Sequence, residues 1–222
     1  MRLAGVLRVV VVFITVGVTW FIASNFLNID WNLKLLKGRE TKDAAPRVLT
    51  YKCGTSQPCP KNHFAFKIES GAANVVGPRI CFEGKILMSS VKNNVGPGIN
   101  IALLDGATGE EIETNYFNMY SGDVKPLIDF MAKIKPGTLV LAASYDDIAT
   151  KMNPEARKYF TEMGSSLIDT VKFRDNWIFA GAKGIQEKSP FEQYIKNNGT
   201  VNKYEGWPEL IAMTGCIPQK MD

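Results

Sequence analysis

Histidine is nearly absent from this sequence, and its scarcity excludes several kinds of active site. The 222 residues include one histidine, His63. A Ser-His-Asp triad needs a histidine base, and a catalytic metal ion is usually held by several His or carboxylate ligands. His63 directly precedes a strand-like segment that begins at Phe64, which favours a structural position at the surface. We therefore predict no catalytic residues, no bound metal and a protein that is not an enzyme.

A surplus of one charge sign is also missing. The chain has 26 Lys and Arg against 22 Asp and Glu. Setting aside Arg2 and Arg8 at the N-terminus leaves 24 basic residues against 22 acidic ones, a net charge near +2. A nucleic-acid-binding surface gathers basic residues on one face, whereas here the two signs are interspersed along the chain. We therefore expect no nucleic-acid partner.

The glycine motif of nucleotide-binding proteins is missing too. Gly96-Pro97-Gly98 lacks the third glycine of the dinucleotide fingerprint and precedes a predicted strand, whereas that fingerprint opens a helix. We therefore predict no nucleotide and no other cofactor.

One long uncharged apolar run is present, at the N-terminus. Arg2 and Arg8 precede a stretch from Val9 to Ser24, which is typical of a secretory signal peptide. The run is short for a membrane-spanning helix, which needs about 20 apolar residues. We predict that residues 1–24 are a cleaved signal peptide and that the protein is secreted. An uncleaved signal-anchor is the alternative, because residues 21–24 give only a loose cleavage pattern.

The four cysteines all follow this segment, at Cys53, Cys59, Cys81 and Cys216. An even number of cysteines in a chain addressed to an oxidising compartment predicts two disulfides, with three pairings open. A zinc site is disfavoured, because Cys53 and Cys59 are too widely spaced for the usual pair of zinc ligands.

The rest of the chain has one predicted boundary, between a linker and a domain. Residues 25–50 are rich in charge and lack sustained periodicity, so we predict a linker there. No Pro, Gly or Ser linker interrupts the chain after Tyr51. We therefore predict a single domain at 51–222.

Short apolar segments in this domain predict strands. Apolar residues alternate with polar ones, or run uninterrupted, at 64–68, 86–88, 99–104, 112–117, 138–143 and 177–181. The glycines between the third and fourth of these segments predict a hairpin.

Three helices are predicted among the strands. Apolar residues recur at helical spacing over 124–134, and Asn153-Pro154 begins a second helix that ends at Gly164. Ser189 and Glu192 match a capping box, which predicts a third helix over 189–199. Short helices mixed with hairpin-linked strands indicate an α+β fold with helices on a sheet face.

Two polar clusters border predicted strands. Asp146 and Asp147 follow one strand, and Arg174 precedes another. If these strands are neighbours in one sheet, Asp146 and Arg174 converge at the same end. The aspartates are either half of a glycosidase pair or part of a metal site, or they are solvated turn residues or helix-capping acids. Arg174 either holds ligand oxygens with its planar guanidinium or forms a local pair with Asp175.

Two further residues are candidates for contact with sugar. Trp207 provides either a stacking face for a sugar or a plug for the core. Asn198 begins the glycosylation sequon Asn198-Gly199-Thr200, so in a secreted chain we predict Asn198 as the attachment site.

Five stretches of the chain together resemble one known family. They are Tyr51-Lys52-Cys53-Gly54, Ser70-Gly71-Ala72-Ala73-Asn74-Val75-Val76-Gly77-Pro78, Phe173-Arg174-Asp175-Asn176-Trp177, Lys188-Ser189-Pro190-Phe191-Glu192-Gln193 and Asn202-Lys203-Tyr204-Glu205-Gly206-Trp207-Pro208-Glu209. From Tyr51 to its end the sequence is similar to the secreted, cytokine-like family with sequence similarity 3.

The resemblance implies a fold and a disulfide pairing. The implied fold is a compact β-β-α domain, with two antiparallel sheets and short helices around a polar cavity, similar to a GG-type lectin-like domain. The implied disulfides join Cys53 to Cys81 and Cys59 to Cys216.

The resemblance also implies a carbohydrate-binding site at Asp146 and Arg174, with two departures. Many relatives have an arginine where this chain has Pro97, so one arginine expected at the sugar site is absent. Some relatives have a cysteine where this chain has Ala180, so we expect no covalent dimer through that strand.

These observations predict a secreted, non-enzymatic, cytokine-like signalling protein with a carbohydrate-binding, lectin-like domain. Its expected partners are an unidentified cell-surface receptor, a glycan, or both. The alternatives are a glycan-processing enzyme, for which Asp123 is a further candidate carboxylate, and a Golgi signal-anchored glycan-binding module.

Overall fold

The computed structural model describes residues 10–24 and 51–220. The chain forms two compact units, Met1–Val48 and Leu49–Asp222. The described part of the first unit is a helix, α1, over residues 10–24. Neither there nor in 51–220 is any helix long and apolar enough to cross a membrane. The predicted linker at 25–50 and residues 1–9 of the predicted signal peptide lie outside the described residues.

Antiparallel strands dominate the second unit. One sheet has the order β3-β2-β1-β9 and the other the order β5-β4-β6-β7-β8. The strands are β1 (His63–Glu69), β2 (Arg79–Phe82), β3 (Lys85–Met88), β4 (Gly98–Asp105), β5 (Glu111–Phe117), β6 (Thr138–Tyr145), β7 (Asn176–Ala182), β8 (Phe191–Ile195) and β9 (Ala212–Pro218). The helices of this unit are α2 (Lys125–Ala132) and α3 (Pro154–Glu162), and short 3-10 turns occupy Lys52–Gly54, Ser90–Lys92 and Ile168–Thr170.

The five-stranded sheet is the middle layer of three. Side chains alternate between the faces of a strand, so on β4 Ile101 packs in the core shared with the two helices. The next residue, Ala102, packs in the core shared with the four-stranded sheet. Burial on both faces explains why β4 and β6 are nearly uninterrupted apolar runs. The predicted β-β-α arrangement of an α+β domain is confirmed.

Helix α3 begins and ends as the sequence predicts. The Asn153 side chain accepts a hydrogen bond from the Ala156 N–H at 2.8 Å, and Pro154 occupies the first turn. Gly164 adopts φ 99°, a left-handed conformation that glycine takes without strain. The predicted strands and the other predicted helix, α2, are also present.

The predicted third helix is wrong, because Phe191–Ile195 forms strand β8 at the edge of the five-stranded sheet. Glu192 does not cap a helix. Its carboxylate accepts the Trp177 indole N–H at 2.7 Å and the backbone N–H of Ser166 at 2.7 Å, and it also bonds Ser165. Ser189 donates its hydroxyl hydrogen bond to the Ala180 carbonyl. These partners lie far along the chain, so a local pattern does not reveal them.

Two disulfides connect the four-stranded sheet to the segment before it. Cys53 is bonded to Cys81, and Cys59 is bonded to Cys216, 157 residues away. This is the pairing that the resemblance implies. No cysteine is free, so the alternative of a cysteine zinc site is wrong.

The five-stranded sheet has two unlike ends. The first, which we call the hairpin end, carries the turn between β4 and β5 at residues 105–111. The second, which we call the polar end, carries Gly98 paired with Tyr145, and the start of β7 at Asn176. Polar side chains are buried near this second end, at Ser70, Asn100, Ser144 and Asn176.

Candidate functional site

Asp146 and Arg174 come together at the polar end. Asp146 directly follows β6, and Arg174 lies just before β7. Because β6 and β7 are antiparallel neighbours, the end of one strand adjoins the start of the other. The Arg174 Nε atom lies 3.8 Å from the Asp146 Oδ1 atom. The expected convergence of these two side chains is therefore present.

Trp207 completes the cluster and bonds both residues. Its indole N–H donates a hydrogen bond of 2.9 Å to Asp146 Oδ1. The Arg174 guanidinium carbon lies 3.9 Å from the centroid of the Trp207 ring. A guanidinium over an indole face is held by the ring's negative electrostatic potential. Trp207 is half-buried, so it is neither a free stacking platform nor a core plug, but the support on which Arg174 rests.

Both charged residues adopt a conformation that costs energy. Asp146 has φ 61° and Arg174 has φ 59°. Left-handed backbone costs most non-glycine residues roughly 1–2 kcal/mol, although aspartate adopts it more readily than arginine does. Asp147 stabilises the backbone conformation of Arg174, because its Oδ1 atom accepts the Arg174 backbone N–H at 3.1 Å.

Asp147 is fully buried and serves the backbone. Besides the Arg174 N–H, its carboxylate accepts the N–H groups of Ala149 and Thr150, each at 3.1 Å. Asp123, the other candidate carboxylate, accepts the Lys125 N–H at 2.9 Å at the start of α2. Asp147 is thus a turn residue, but a buried one and not the solvated one that was expected.

Asp175 fixes the other side of Arg174. This carboxylate is buried, and it accepts the Lys172 N–H at 2.7 Å and the Asn197 N–H at 2.6 Å. It also accepts the Tyr194 hydroxyl at 2.8 Å. Desolvation and this hydrogen bond to Asp175 raise the pKa of Tyr194 to about 12. Asp175 therefore pairs with backbone and Tyr194, which leaves the Arg174 guanidinium for other contacts.

A buried polar network supports the cluster from below. Ser144 donates to Asn176 Oδ1 at 3.2 Å and accepts the Trp177 N–H at 3.0 Å. Asn176 in turn donates to the Glu209 carbonyl at 2.6 Å, which ties the segment after Trp207 to β7. Buried polar groups that are all paired define one arrangement of a site.

The Arg174 side chain retains unused hydrogen-bonding capacity. Its Nε atom is buried and has no hydrogen-bond partner among the described residues. The side chains of Arg174 and Asp146 remain 29% and 18% exposed. A guanidinium offers five donors in a fixed plane, and an ionised carboxylate only accepts. A ligand with several hydroxyl groups finds complementary donors and acceptors here.

Two exposed aromatic rings border the cluster, and the sequence did not single them out. Phe173 lies beside Arg174, with its ring centroid 4.8 Å from the guanidinium carbon. The Tyr120 ring lies 6.4 Å from that of Phe173. Phe173 and Tyr120 are 45% and 51% exposed. Phe173 was recognisable as a neighbour of Arg174, but nothing local predicts that Tyr120 adjoins it.

Pro97 lies at the same end of the sheet. It precedes Gly98, which pairs with Tyr145, the residue before Asp146. Gly98 has φ 100°, and a Cβ atom there would lie 1.9 Å from the Phe117 carbonyl oxygen, so only glycine fits. Asn100 holds the turn by donating to the Gly96 carbonyl at 2.9 Å. The Pro97 ring itself is exposed.

The other residues that the sequence singled out, Asn198 and His63, lie outside the cluster. Asn198 is exposed in the turn that follows β8, and not at the end of a helix. The His63 ring nitrogen lies 3.0 Å from the Lys61 carbonyl oxygen in the four-stranded sheet. A cavity of about 780 Å³ opens at the hairpin end between β5 and α2, over an apolar floor that includes Phe117 and Phe130.

Comparison with known proteins shows relatives along the whole chain. The family model described as "Interleukin-like EMT inducer" matches residues 97–185, which include Asp146 and Arg174. Protein FAM3A of Homo sapiens is 54% identical over 226 residues, covering 99% of this chain and 98% of that protein. Protein FAM3C of Rattus norvegicus is 54% identical over 227 residues, covering 100% of both chains. Protein FAM3C of Xenopus tropicalis is 53% identical over 228 residues. The chain therefore belongs to the FAM3 family, the family with sequence similarity 3.

Proposed function

We propose that this chain is a secreted, non-enzymatic signalling protein of cytokine-like character whose domain binds a glycan at Asp146 and Arg174. The glycan is carried by a cell-surface receptor or by a neighbouring glycoprotein. The observation that carries the proposal is the partly exposed Arg174 guanidinium, supported by Trp207 and placed 3.8 Å from Asp146.

The chemistry of the cluster suits a sugar. Sugar hydroxyls both donate and accept, so Asp146 and Arg174 can share a pair of them. A hydrogen bond to a charged group contributes about 1.5–3 kcal/mol. The exposed rings of Phe173 and Tyr120 offer an apolar face for the C–H groups of a sugar ring.

The signalling and secretion parts of the proposal rest on other features. The matching family model is described as interleukin-like, which supports a signalling role. The basic n-region and apolar run at the N-terminus, and two disulfides in the domain, suit export to an oxidising compartment.

The non-enzymatic part is supported by the state of the nearby carboxylates. Glycoside hydrolysis normally uses two carboxyl groups that face the scissile bond. Asp147, the neighbour of Asp146, is fully buried and accepts three backbone N–H groups, so it cannot face a substrate.

Glycan binding is tested by screening the secreted protein against a glycan array and measuring the best ligand by calorimetry. We expect Arg174→Ala to abolish measurable binding while secretion and both disulfides persist. Lys172→Ala is the matched control, because it removes a nearby exposed positive charge outside the cluster. Equal binding by Arg174→Ala and the parent would remove the site from the proposal.

The departure at Pro97 gives a gain-of-function test. Pro97→Arg places a guanidinium at the polar end, where many relatives have one. One additional charged hydrogen bond of about 1.5–2 kcal/mol corresponds to roughly tenfold tighter binding. An affinity unchanged by Pro97→Arg would show that position 97 lies outside the ligand's reach.

Secretion is tested by expressing the full chain and sequencing the N-terminus of the protein in the medium. We expect a product that lacks Arg2 and Arg8. Recovery of most of the protein in membranes with Arg2 still attached would instead favour a signal-anchor.

A further inference from the structure

The glycosylation sequon adjoins the Asp146–Arg174 cluster. Asn198 is exposed, and its side-chain carbonyl oxygen accepts the Thr200 N–H at 3.1 Å and the Thr200 hydroxyl at 2.8 Å. The carbonyl oxygen is thus paired within the sequon. The amide nitrogen, Nδ2, is the atom to which an N-linked glycan is attached.

The preceding residue fixes the position of the sequon. The Asn197 N–H donates to Asp175 Oδ1 at 2.6 Å, and the Asn197 side chain donates to the Phe173 carbonyl at 3.2 Å. These acceptors belong to the two residues that flank Arg174. Because consecutive Cα atoms are about 3.8 Å apart, Asn198 lies within a short distance of the Arg174 backbone.

The loop that carries the sequon also forms a wall of the cluster. It runs from Asn197 to Trp207, the residue under the Arg174 guanidinium. The loop is held internally, since the Asn198 N–H donates to Asn202 at 2.9 Å and Asn202 donates to Asn197 at 2.8 Å. Backbone bonds between Tyr204 and Trp207 close its far end. A glycan on Asn198 is therefore tethered to the rim of the site by an ordered segment.

We propose that the N-linked glycan on Asn198 is the internal ligand of this site, so that the glycosylated protein occupies its own Asp146–Arg174 cluster and excludes other glycans. The proposal rests on the function proposed above and adds its regulation. The oligosaccharide is transferred from a lipid-linked diphosphate donor to Asn198 Nδ2. The sugar C1–O bond to the diphosphate breaks, a C1–N bond forms, and the amide proton and the lipid diphosphate leave.

Because the glycan is tethered, its effective concentration determines how strongly it competes with an external glycan. A ligand attached by a short flexible link has an effective concentration in the millimolar range. If the site binds a free sugar about tenfold more tightly than that, self-occupancy weakens the apparent affinity for an external glycan by roughly tenfold. Removal of the attached glycan should restore that affinity.

The direct test measures how accessible the attached glycan is. The full chain is produced in cells that leave high-mannose glycans, and occupancy of Asn198 is measured by mass spectrometry. An endoglycosidase that cuts between the two core sugars is then applied to the folded protein. We expect several-fold slower release from the parent than from Arg174→Ala. Asp146→Asn is the second variant, in case Arg174→Ala is not secreted.

A displaced sequon provides the matched control. In an Asn198→Gln background, Glu110→Asn with Ile112→Thr creates a sequon in the exposed turn at the hairpin end, remote from the cluster. Its glycan should be released at one rate whether or not Arg174 is present.

A second measurement uses free high-mannose N-glycan as the probe. Asn198→Gln should bind it roughly tenfold more tightly than the glycosylated parent. An unoccupied Asn198, or equal release rates from the parent and both site variants, overturns the inference even if Asn198→Gln binds glycans. If instead the parent's own glycan is protected but Asn198→Gln binds no external glycan, self-recognition stands and the function proposed above fails.

Discussion

The chain reverses direction at both ends of the five-stranded sheet, but different kinds of residue form the turns. At the hairpin end, Asp105 accepts the N–H groups of Ala107 and Thr108, both at 2.8 Å, and Gly109 supplies the positive φ of the turn. At the polar end Gly98 also has a positive φ, but two further positive φ angles fall on Asp146 and Arg174, which are not glycines. The hairpin end satisfies local rules, whereas the polar end departs from them.

The two ends also differ in their cross-links and in their buried charges. The disulfide between Cys59 and Cys216 lies toward the hairpin end, since β9 closes against the start of β1 there, with Pro218 opposite His63. The polar end has buried aspartates, two non-glycine residues with positive φ and a guanidinium nitrogen that has no hydrogen-bond partner among the described residues. The Cys59–Cys216 disulfide and the Asp146–Arg174 cluster thus lie toward opposite ends of the domain.

Removal of the disulfide between Cys59 and Cys216 should have the largest effect on the free energy of unfolding. Replacing Cys59 and Cys216 together by serine removes a cross-link across 157 residues. In the chain-entropy model such a loop contributes about 4–5 kcal/mol to the free energy of unfolding. Urea denaturation of the double variant and the parent measures the difference. A loss below about 1 kcal/mol would mean that the hairpin end does not depend on its disulfide.

The next effect compares one aspartate from each end. Asp175→Ala leaves the Lys172 N–H, the Asn197 N–H and the Tyr194 hydroxyl without their buried acceptor. We expect a loss of about 3 kcal/mol in the free energy of unfolding, together with loss of glycan binding. Asp105→Ala at the exposed turn is the control and should lower the thermal midpoint less. Equal losses measured by calorimetry would contradict the contrast between the ends.

A smaller effect measures the strain directly. Arg174→Gly and Arg174→Ala both remove the guanidinium, but only glycine takes φ 59° without a steric cost. We expect the glycine variant to be more stable than the alanine variant by about 1 kcal/mol, the cost of left-handed backbone less the flexibility of glycine when unfolded. Both should fail to bind glycan. An alanine variant as stable as the glycine variant would show that the backbone at Arg174 is relaxed.

The smallest expected effects are changes in the pH dependence of the free energy of unfolding, at alkaline pH for Tyr194 and at acid pH for Asp105. The raised pKa of Tyr194, about 12, means that its contribution is complete below its ordinary pKa near 10 and is lost as pH rises from 10 to 12. The pKa of Asp105 is lowered by hydrogen bonds from the Thr108 and Ala107 N–H groups, so its contribution is lost as pH falls below 3.8. Urea denaturation across pH should show a shallower alkaline slope in Tyr194→Phe and a shallower acid slope in Asp105→Asn.

Features that depend on neighbouring residues were predictable from the sequence, whereas those that depend on distant contacts were not. The hairpin was predictable because the glycines of its turn lie between two apolar runs. The convergence of Asp146 and Arg174 was predictable because each borders an apolar strand. The role of Trp207 was not, because its hydrogen bond to Asp146 spans 61 residues.

The capping-box error has the same cause. Ser189 and Glu192 have the spacing of a helix start, yet Glu192 bonds Ser165 and Ser166, more than two dozen residues earlier. Polar side chains with distant partners mimic local signals, so sequence reasoning is weakest where a polar network spans several elements. The polar end is built from such contacts. Phe173 could be recognised because it adjoins Arg174 in the sequence, whereas Tyr120 reaches the same place from a distant part of the chain.

The pairing of β1 with β9 has a practical consequence for how the domain can be displayed. His63 near the start of the domain and Pro218 near its end lie opposite each other, and Lys220 bonds Gly106 in the hairpin turn. Strand β9 therefore ends on the side of the domain away from Arg174. A fluorescent protein, an affinity handle or a surface linker fused at the C-terminal end is therefore carried on the side of the domain opposite the Asp146–Arg174 cluster.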